Sequence, residues 1–338
     1  TQQLVATATY SDGTSAPVTN SVTWTPVDTT TATVSPAGVL SGRFEGSTTL
    51  TATKDGVTSN TVSVTVSAAV ITAIEVRPKR LDIVKGKFQL LSAYARLSDG
   101  RREDISGSVT WVMADTSIAT VSRSRHVPDW VMINTAASAI RPGKTTLTVA
   151  KDGITKMVDV NVCEDLAGPC IDVYYVVKRN RINASYRYFS AYISSPSKVY
   201  VDTVLGTSPA PAGIQYEDGT QGALGDYNKY NMLIGNSNAL DLCKKLAEIG
   251  FSYRDNDQYR PLIFRLPKVA DLNELYSKLG NMYLSRGWPT SDYYWTEDKD
   301  TSNADNHFDV NLSNGVANSN TNTDSSYVSC YTDETNFQ

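Results

Sequence analysis

Histidine is nearly absent from this chain of 338 residues, which contains only His126 and His307. Two histidines so far apart offer no hydrolase triad, and four cysteines without a CxxC pair do not suggest a zinc site. The motifs GxSxG, HExxH and GxxxxGK[ST] are also missing. We therefore expect a protein that is not an enzyme and that carries no metal and no cofactor.

Long apolar runs and excess positive charge are missing as well. No run could span a bilayer and no basic-then-apolar signal opens the chain, so we expect any leader or anchor to lie outside these residues. The net charge of −4 argues against general nucleic-acid binding. With 41% hydrophobic and 20% charged residues the composition is that of an ordinary globular protein, and the length predicts two to four domains.

The first 162 residues contain the same series of motifs twice. The matching segments are 10–13 with 97–100, 21–24 with 108–111, 32–35 with 119–122, and 46–56 with 143–153. The first three pairs are separated by 87 residues and the last pair by 97. The second copy therefore contains about ten extra residues, which lie around 123–135. The basic and aromatic residues of that insertion, Arg123, Arg125, His126 and Trp130, form either a contact site or an ordinary long loop.

Each copy consists of short alternating runs rich in Thr and Val, separated by turn pairs such as Asp12-Gly13 and Asp55-Gly56. This pattern predicts a mostly β chain of tandem antiparallel immunoglobulin-like sandwiches, at residues 1–68 and 69–162. The second copy opens with two apolar runs, 71–78 and 81–86, that the first copy lacks. We therefore expect the first copy to be truncated at its N-terminus.

The remaining residues, 163–338, are here called the tip domain, and their pattern is α+β. Asp271 with Glu274 predicts a helix start, apolar residues recur at three- and four-residue spacing as far as Met282, and Gly287 predicts the end. A preceding helix is predicted from Leu240 to Ile249, capped by Ser237 or Asn238 and ended by Gly250. Residues 163–230 read as a β extension with runs at 173–177, 186–193 and 198–204, followed by a surface loop at 206–230.

All four cysteines, Cys163, Cys170, Cys243 and Cys330, lie at the end of the second copy or in the tip domain. Four cysteines allow three pairings, of which Cys163 with Cys170 and Cys243 with Cys330 is the natural choice. Disulfides imply an oxidising compartment.

Several short motifs of the tip domain resemble those of the intimin and invasin adhesins, whose passenger ends in a C-type-lectin-like domain. They are Leu266-Pro267, the DLNELY segment 271–276, the GWP segment 287–289, YYWT at 293–296 and YVSC at 327–330, and the resemblance spans about residues 231–338. The two repeats resemble the bacterial immunoglobulin-like stalk domains of the same family. The resemblance implies a surface adhesin carried by an outer-membrane β-barrel upstream, with a stiff stalk and a binding tip.

Contact residues are expected among exposed aromatic and acidic side chains of the tip domain. The candidates are Trp288, Asp292, Tyr293, Asp298, Asp300, Asp305 and Asp309. Core packing is the competing interpretation for Trp288, Tyr294 and Trp295. The stretch 297–325 is rich in Asp and Asn, which favours either a solvated flexible loop or a calcium loop, but the sugar-binding tripeptides of calcium lectins do not occur.

The function predicted from these features is binding of a host cell-surface protein by the tip of a monomeric adhesin at the bacterial cell surface. Only Lys299 opposes nine acidic residues in the last 51 residues, so a partner with a basic patch is favoured. Two alternatives remain open: capture of a soluble host protein such as an immunoglobulin or a matrix protein, and binding of a glycan.

Overall fold

A computed structural model describes residues 1–123, 135–179, 187–206, 209–232, 239–255 and 258–333. The chain divides into two compact units, Thr1–Val70 and Ile71–Gln338. The expected fold class is confirmed, because antiparallel sheets dominate and helices occur in the tip domain. None of the helices in the described ranges has the length and apolar character that crossing a membrane requires.

The first unit is a small sandwich of short strands. Its strands are β1 (Gln2–Gln3), β2 (Thr7–Thr9), β3 (Ser15–Pro17), β4 (Thr23–Pro26), β5 (Ala32–Val34), β6 (Val39–Gly42), β7 (Gly46–Lys54), β8 (Val57–Thr58) and β9 (Val62–Val66). One sheet has the order β1-β6-β5, β2 pairs with β3, and β7 pairs with β4, β8 and β9 in the other main sheet. A single turn of 3₁₀ helix, Thr19–Ser21, precedes β4.

Two-residue alternation shapes this unit. In β7 the side chains of Thr48, Leu50 and Ala52 are buried, and the residues between them face outward. The turn from β7 to β8 is Asp55-Gly56, and both residues have positive φ, of 50° and 81°. That conformation matches the strand twist of a two-residue hairpin, which confirms the turn predicted from the Asp-Gly pair.

The second sandwich has longer strands. They are β10 (Ile71–Arg77), β11 (Leu81–Val84), β12 (Phe88–Leu97), β13 (Arg102–Asp104), β14 (Thr110–Met113), β15 (Ala119–Arg123), β16 (Thr135–Ala139), β17 (Gly143–Lys151) and β18 (Ile154–Cys163). One sheet has the order β10-β12-β16-β15 with β13 beside β12, and the other has the order β11-β18-β17-β14. Arg125, His126 and Trp130 of the insertion lie outside the described residues.

The tip domain combines four small sheets with short helices. Its strands are β19 (Val173–Arg179), β20 (Arg187–Ile193), β21 (Gly213–Glu217), β22 (Gly225–Lys229), β23 (Ser252–Asp255), β24 (Gln258–Pro261), β25 (Tyr294–Lys299), β26 (Asn306–Asn311), β27 (Val316–Thr321) and β28 (Cys330–Asp333). Its helices are α1 (Lys198–Tyr200), continued by a π turn at Val201–Leu205, then α2 (Ala239–Ala247), α3 (Val269–Leu279) and α4 (Met282–Arg286). The sheets are β19-β20-β28, β21-β22, β23-β24 and β25-β26-β27.

Three predictions for the tip domain were wrong in detail. Residues 198–204 are helical rather than extended, because the Ser197 side chain accepts a hydrogen bond from the Tyr200 amide and starts a helix there. Residues 206–230 contain the β21-β22 hairpin instead of a plain loop, and residues 297–325 form most of the β25-β26-β27 sheet instead of a flexible loop.

The helix predicted as far as Gly287 is two helices. Gly280 ends α3 with a φ of 66°, and Asn281 caps α4 by accepting a hydrogen bond from the Leu284 amide at 3.1 Å. The first helix begins at Val269, so Asp271 lies in its first turn, where it accepts a hydrogen bond from the Lys268 amide at 2.8 Å. The proposed caps of the other helix, Ser237 and Asn238, lie outside the described residues.

Both predicted disulfides are present. Cys163 pairs with Cys170 at the end of β18, and Cys243 of α2 pairs with Cys330 of β28. The second disulfide is fully buried in one of the two apolar clusters of the tip domain. It joins α2 to β28, whose cysteines are 87 residues apart in sequence, and so closes about half of the domain into one covalent loop.

The second sandwich and the tip domain share contacts within one compact unit. Ile83 of β11 forms a bridge with Ile171, and Val84 and Cys163 belong to the same buried cluster as Trp288. The Tyr175 ring stacks on Phe88 with centroids 5.9 Å apart. The extension that begins at residue 163 therefore packs the tip domain directly against the sandwich.

Candidate functional site

The GWP segment is a structural element of the tip domain. Trp288 has no exposed surface, and its Nε1 donates a hydrogen bond to Asp172 Oδ2 at 2.9 Å. The Arg286 guanidinium forms an ion pair with the same buried carboxylate. Trp288 cannot touch a partner, so its prediction as a contact residue was wrong and core packing is correct. Tyr294 and Trp295 are also fully buried.

Asp309 is the second predicted contact residue that lies inside the protein. It has no exposed surface, and its Oδ2 accepts hydrogen bonds from Asn320 Nδ2 at 2.7 Å and Ser326 Oγ at 3.1 Å. Burial raises its pKa from 3.8 to about 6, against the effect of these two hydrogen bonds. A contact role for Asp309 is excluded because strand β26 points its side chain into the domain.

Most of the other predicted acids are engaged in local structure. Asp298 Oδ2 accepts a hydrogen bond from the Val269 amide at 2.7 Å, at the start of α3 where a negative charge is favourable. Asp292 pairs with Lys229. Asp300 accepts hydrogen bonds from Ser302 and Ser319, which lower its pKa from 3.8 to about 2.

Asp305 is exposed and Tyr293 is half-buried, so these two remain accessible. The seven predicted residues do not form one continuous exposed surface, because two of them are fully buried. Within the described ranges, no three His, Cys, Asp or Glu side chains are arranged to hold a metal ion.

A different part of the tip domain exposes large apolar side chains. The segment from β21 to β22, here called the 213–229 hairpin, presents Ile214, Tyr216 and Leu224 with 52%, 59% and 60% of their surface exposed. Ile214 and Tyr216 lie two residues apart in β21 and so share a face. Two carboxylates, Asp218 and Asp226, are exposed in the same hairpin. An exposed apolar group next to charged residues is typical of a protein-binding surface.

The hairpin is held firmly from its inner side. Glu217 is buried and accepts hydrogen bonds from Tyr327 Oη and from Ser291 Oγ, the latter at 2.7 Å. The backbone oxygen of Gln221 accepts hydrogen bonds from both the amide and the hydroxyl of Thr290, at 2.6 and 2.9 Å.

A third attachment comes from the helices, because the Tyr283 hydroxyl donates to the backbone oxygen of Gly219. The loop is also packed tightly at Gly222, where an added Cβ would lie 2.6 Å from Glu217 Cγ. Rigid presentation of aromatic and aliphatic side chains reduces the entropy lost on binding.

Sequence reasoning missed this hairpin, although the signal was present. Residues 213–217 and 225–229 are two runs with alternating character, and Asp218-Gly219 lies at the turn between them. The nearby Pro209 and Pro211 and the frequent glycines favoured a loop instead.

Two family descriptions match this chain. Residues 70–162 match the bacterial Ig-like domain (group 2), and residues 251–331 match the adhesion domain of InvE. Both matches agree with the resemblance to the intimin and invasin adhesins that the sequence motifs carry.

This chain is also similar to a longer bacterial protein. It is 40% identical over 162 residues to Ice-binding protein 1 of Shewanella frigidimarina (strain NCIMB 400), which covers 47% of this chain and 18% of that protein. This chain thus spans less than a fifth of that curated relative.

Two solved adhesin structures are also similar to this chain. Adhesin InvE of Yersinia pseudotuberculosis has 14% identity and a TM-score of 0.30, covering 92% of this chain and 87% of that one. The C-terminal 282-residue fragment of intimin, solved with the intimin-binding domain of the translocated intimin receptor, has 13% identity and a TM-score of 0.23, covering 97% and 92%. Identities and TM-scores this low do not establish a relationship by themselves.

Proposed function

We propose that the tip domain binds a host cell-surface protein through the 213–229 hairpin, and that the sandwiches act as its stalk. The observation that carries the proposal is the exposure of Ile214, Tyr216 and Leu224 on a hairpin that is fixed from inside. Tyrosine and aliphatic anchors on a rigid element supply most of the binding energy in many interfaces. The exposed Asp218 and Asp226 favour a partner with basic residues around an apolar pocket.

A protein with this role binds its partner without catalysing a reaction, so the proposal includes that the protein is not an enzyme. It also includes attachment to the outer membrane through a segment outside residues 1–338, as in the family that the sequence resembles. Support for a docking role comes from packing, since the second sandwich and the tip domain form one unit and a load on the tip passes directly into the stalk.

The test measures binding of the fluorescently labelled chain to host cells. The double variant Ile214→Ser, Tyr216→Ser removes the two neighbouring anchors of β21, and we expect its affinity to fall at least tenfold, which corresponds to about 1.4 kcal/mol. Leu284→Ser is the matched control, because Leu284 is an 81% exposed apolar residue on α4. The control should bind like the unmodified chain.

Two treatments of the host cells and one assay with serum proteins separate the alternatives. Loss of binding after surface proteolysis supports a protein receptor, whereas survival of proteolysis with loss after deglycosylation indicates a glycan. Equal binding to serum proteins, with the same dependence on Ile214 and Tyr216, indicates capture of a soluble protein. Unchanged affinity of the double variant would show that the hairpin is not the docking surface.

A further inference from the structure

A cleft of about 540 Å³ lies between the second sandwich and the tip domain. We call it the junction cleft. Its floor is the outer face of β17 and β18, with Lys144, Thr146, Asp159 and Asn161. Arg80 and Asp82 form one wall.

Pro169 and Thr203 of the tip domain close the opposite side of the junction cleft. The volume lies within the range of about 300–1,000 Å³ that small-molecule sites occupy.

The floor is built from two neighbouring cross-strand pairs. Lys144 lies opposite Asn161, and Thr146 lies opposite Asp159. The first sandwich has the same two pairs in its β7 and β9, where Ser47 lies opposite Thr65 and Thr49 lies opposite Ser63. Three of four hydroxyl positions of the first copy are thus occupied in the second copy by an ammonium, a carboxylate and an amide.

The rest of this face does not become charged. Further from the tip domain, the second sandwich has Val112, Ala150 and the 63% exposed Met157 on the same face. The charged and amide groups therefore occur where the face meets the tip domain. If the second copy had simply gained charged residues over its whole surface, they would also occur on the part of this face that lies away from the junction cleft.

The polar groups of the junction cleft offer both donors and acceptors. Arg80 binds Asp82 with Nη2 at 2.8 Å from Oδ1, and the buried Asp82 also lies 3.5 Å from Asn161 Nδ2. Within the described residues, neither the Lys144 ammonium nor the Asp159 carboxylate has a hydrogen bond or a close ion pair, and Asp159 acts on Arg80 only through the attraction between their charges. Lys144 can donate and Asp159 can accept several hydrogen bonds from a ligand.

The charges of the junction cleft balance, with Arg80 and Lys144 against Asp82 and Asp159. An anionic ligand would meet two carboxylates, and a cationic ligand would meet two fixed cations, so a neutral ligand is favoured. The junction cleft presents hydrogen-bond donors and acceptors close together. A neutral molecule with several hydroxyl groups can bond to both, because each hydroxyl group donates and accepts. Hydrogen bonds from hydroxyls to a carboxylate are also among the stronger ones.

We propose that the junction cleft binds an uncharged saccharide, with Lys144 and Asn161 donating to its hydroxyl oxygens and Asp159 accepting from its hydroxyl groups. The site is separate from the 213–229 hairpin and makes the adhesin bind carbohydrate as well as protein. It also differs from a lectin site centred on Trp288, which the burial of that side chain excludes.

The test applies the full chain to an array of neutral and acidic oligosaccharides, followed by titration with the neutral sugar that binds best. Asp159→Ser and Lys144→Ser restore residues of the type found in the first sandwich, so the β-sheet should tolerate them. We expect saturable binding of a neutral sugar by the unmodified chain and at least a tenfold loss of affinity in each variant. Lys156→Ser, an exposed position of β18 outside the junction cleft, should change nothing.

Several results would overturn the proposal. One is the absence of saturable binding to any neutral sugar. Another is that both variants bind the sugar as tightly as the unmodified chain does. A third is preferential binding of acidic sugars, with an affinity that increases in Asp159→Ser. The Ile214→Ser, Tyr216→Ser variant should keep its sugar binding while it loses host-cell binding. This separation distinguishes failure of the junction cleft from failure of the hairpin as a docking site.

Discussion

The two sandwiches share their motifs and local contacts but differ in how much they bury. Trp24 donates its indole N–H to the Thr19 backbone oxygen at 3.3 Å, and Trp111 donates to Ser106 at 3.1 Å. The first sandwich nevertheless has a cluster of four buried apolar side chains, whereas the described part of the second has eighteen. The shared motifs therefore produce similar strands and turns in both sandwiches, but they do not produce cores of similar size.

The difference has a simple structural origin. Strands β10 and β11 contribute Ile74, Val76, Leu81 and Ile83 to the buried cluster of the second sandwich. The described cluster of the first unit consists of Ala32, Leu40, Leu50 and Val64, so it contains no counterpart of these four side chains. Apolar surface buried per residue decides the stability of a small domain, so the two copies should respond unequally to matched mutations.

The largest expected effect comes from Leu147→Ala compared with Leu50→Ala. The two leucines occupy the same motif position, and both are buried, at 0% and 1% exposure. We expect Leu147→Ala to lower the free energy of unfolding of the second unit by about 2–5 kcal/mol, because its dense surroundings cannot close the cavity. Leu50→Ala should lower that of the first unit by less, since its neighbours are partly exposed.

Differential scanning calorimetry with chemical denaturation of both variants measures these costs. Two resolved transitions would assign each mutation to its own unit. An equal cost at both positions would contradict the link between the extra strands and the stability of the second copy.

Acid should act in opposite directions through Asp309 of the tip domain and through Asp28 of the first sandwich. In the tip domain the folded-state pKa of Asp309 is raised from 3.8 to about 6, so its contribution to stability is greatest below 3.8 and is lost as the pH rises through 6. The loss is on the order of 2–3 kcal/mol. In the first sandwich, hydrogen bonds from Thr30 and Thr31 lower the pKa of Asp28 to about 2, so its contribution is present above 3.8 and is lost as the pH falls towards 2.

Thermal unfolding between pH 2 and pH 8 tests this contrast. Asp309→Asn should flatten the pH dependence of the second unit between about pH 4 and pH 6. The same variant should leave the acid sensitivity of the first unit unchanged, which makes that unit an internal control. If the second unit of Asp309→Asn showed the same pH dependence over this window as that of the unmodified chain, Asp309 would not hold its proton as described.

The smallest expected effect is at the exposed ion pairs. Lys85 lies 2.6 Å from Glu164 where the second sandwich joins the tip domain, and both side chains are largely exposed. Lys85→Ala should cost less than about 1 kcal/mol, because solvent screens such a pair. Lys54→Ala, which removes the exposed pair with Asp55 in the first sandwich, is the matched control. A loss above 2 kcal/mol for Lys85 alone would mean that the junction depends on this ion pair.

Local features of the fold were predictable where the local chemistry was unambiguous. The Asp55-Gly56 turn, strands β7 and β17 and both disulfides follow from turn chemistry, alternation and cysteine positions. The helix break at Gly280 could not be predicted, because the helical spacing of apolar residues continues across it. The helical turn after Ser197 could not be predicted either, because β-branched residues, which favour strands, dominate that segment. Tertiary packing overrides weak propensities of this kind.

The candidate site was harder to predict than the fold. An aspartate in the sequence is an exposed side chain, a helix cap or a buried acid depending on the packing around it, as Asp305, Asp298 and Asp309 show. The exposed face of Ile214 and Tyr216 depends on Glu217 being anchored by Tyr327, about 110 residues away.

The sequence by itself determined the repeat, the β class, the disulfide-braced tip and the family resemblance, because periodicity and motif spacing are local properties of the chain. Only the tertiary structure decided which side chains are accessible, how β10 and β11 complete the second core, and that β17, β18 and Thr203 enclose the junction cleft. Accessibility is a property of packing between distant segments. For that reason the local amino-acid sequence alone cannot distinguish the buried Trp288 from an exposed contact residue.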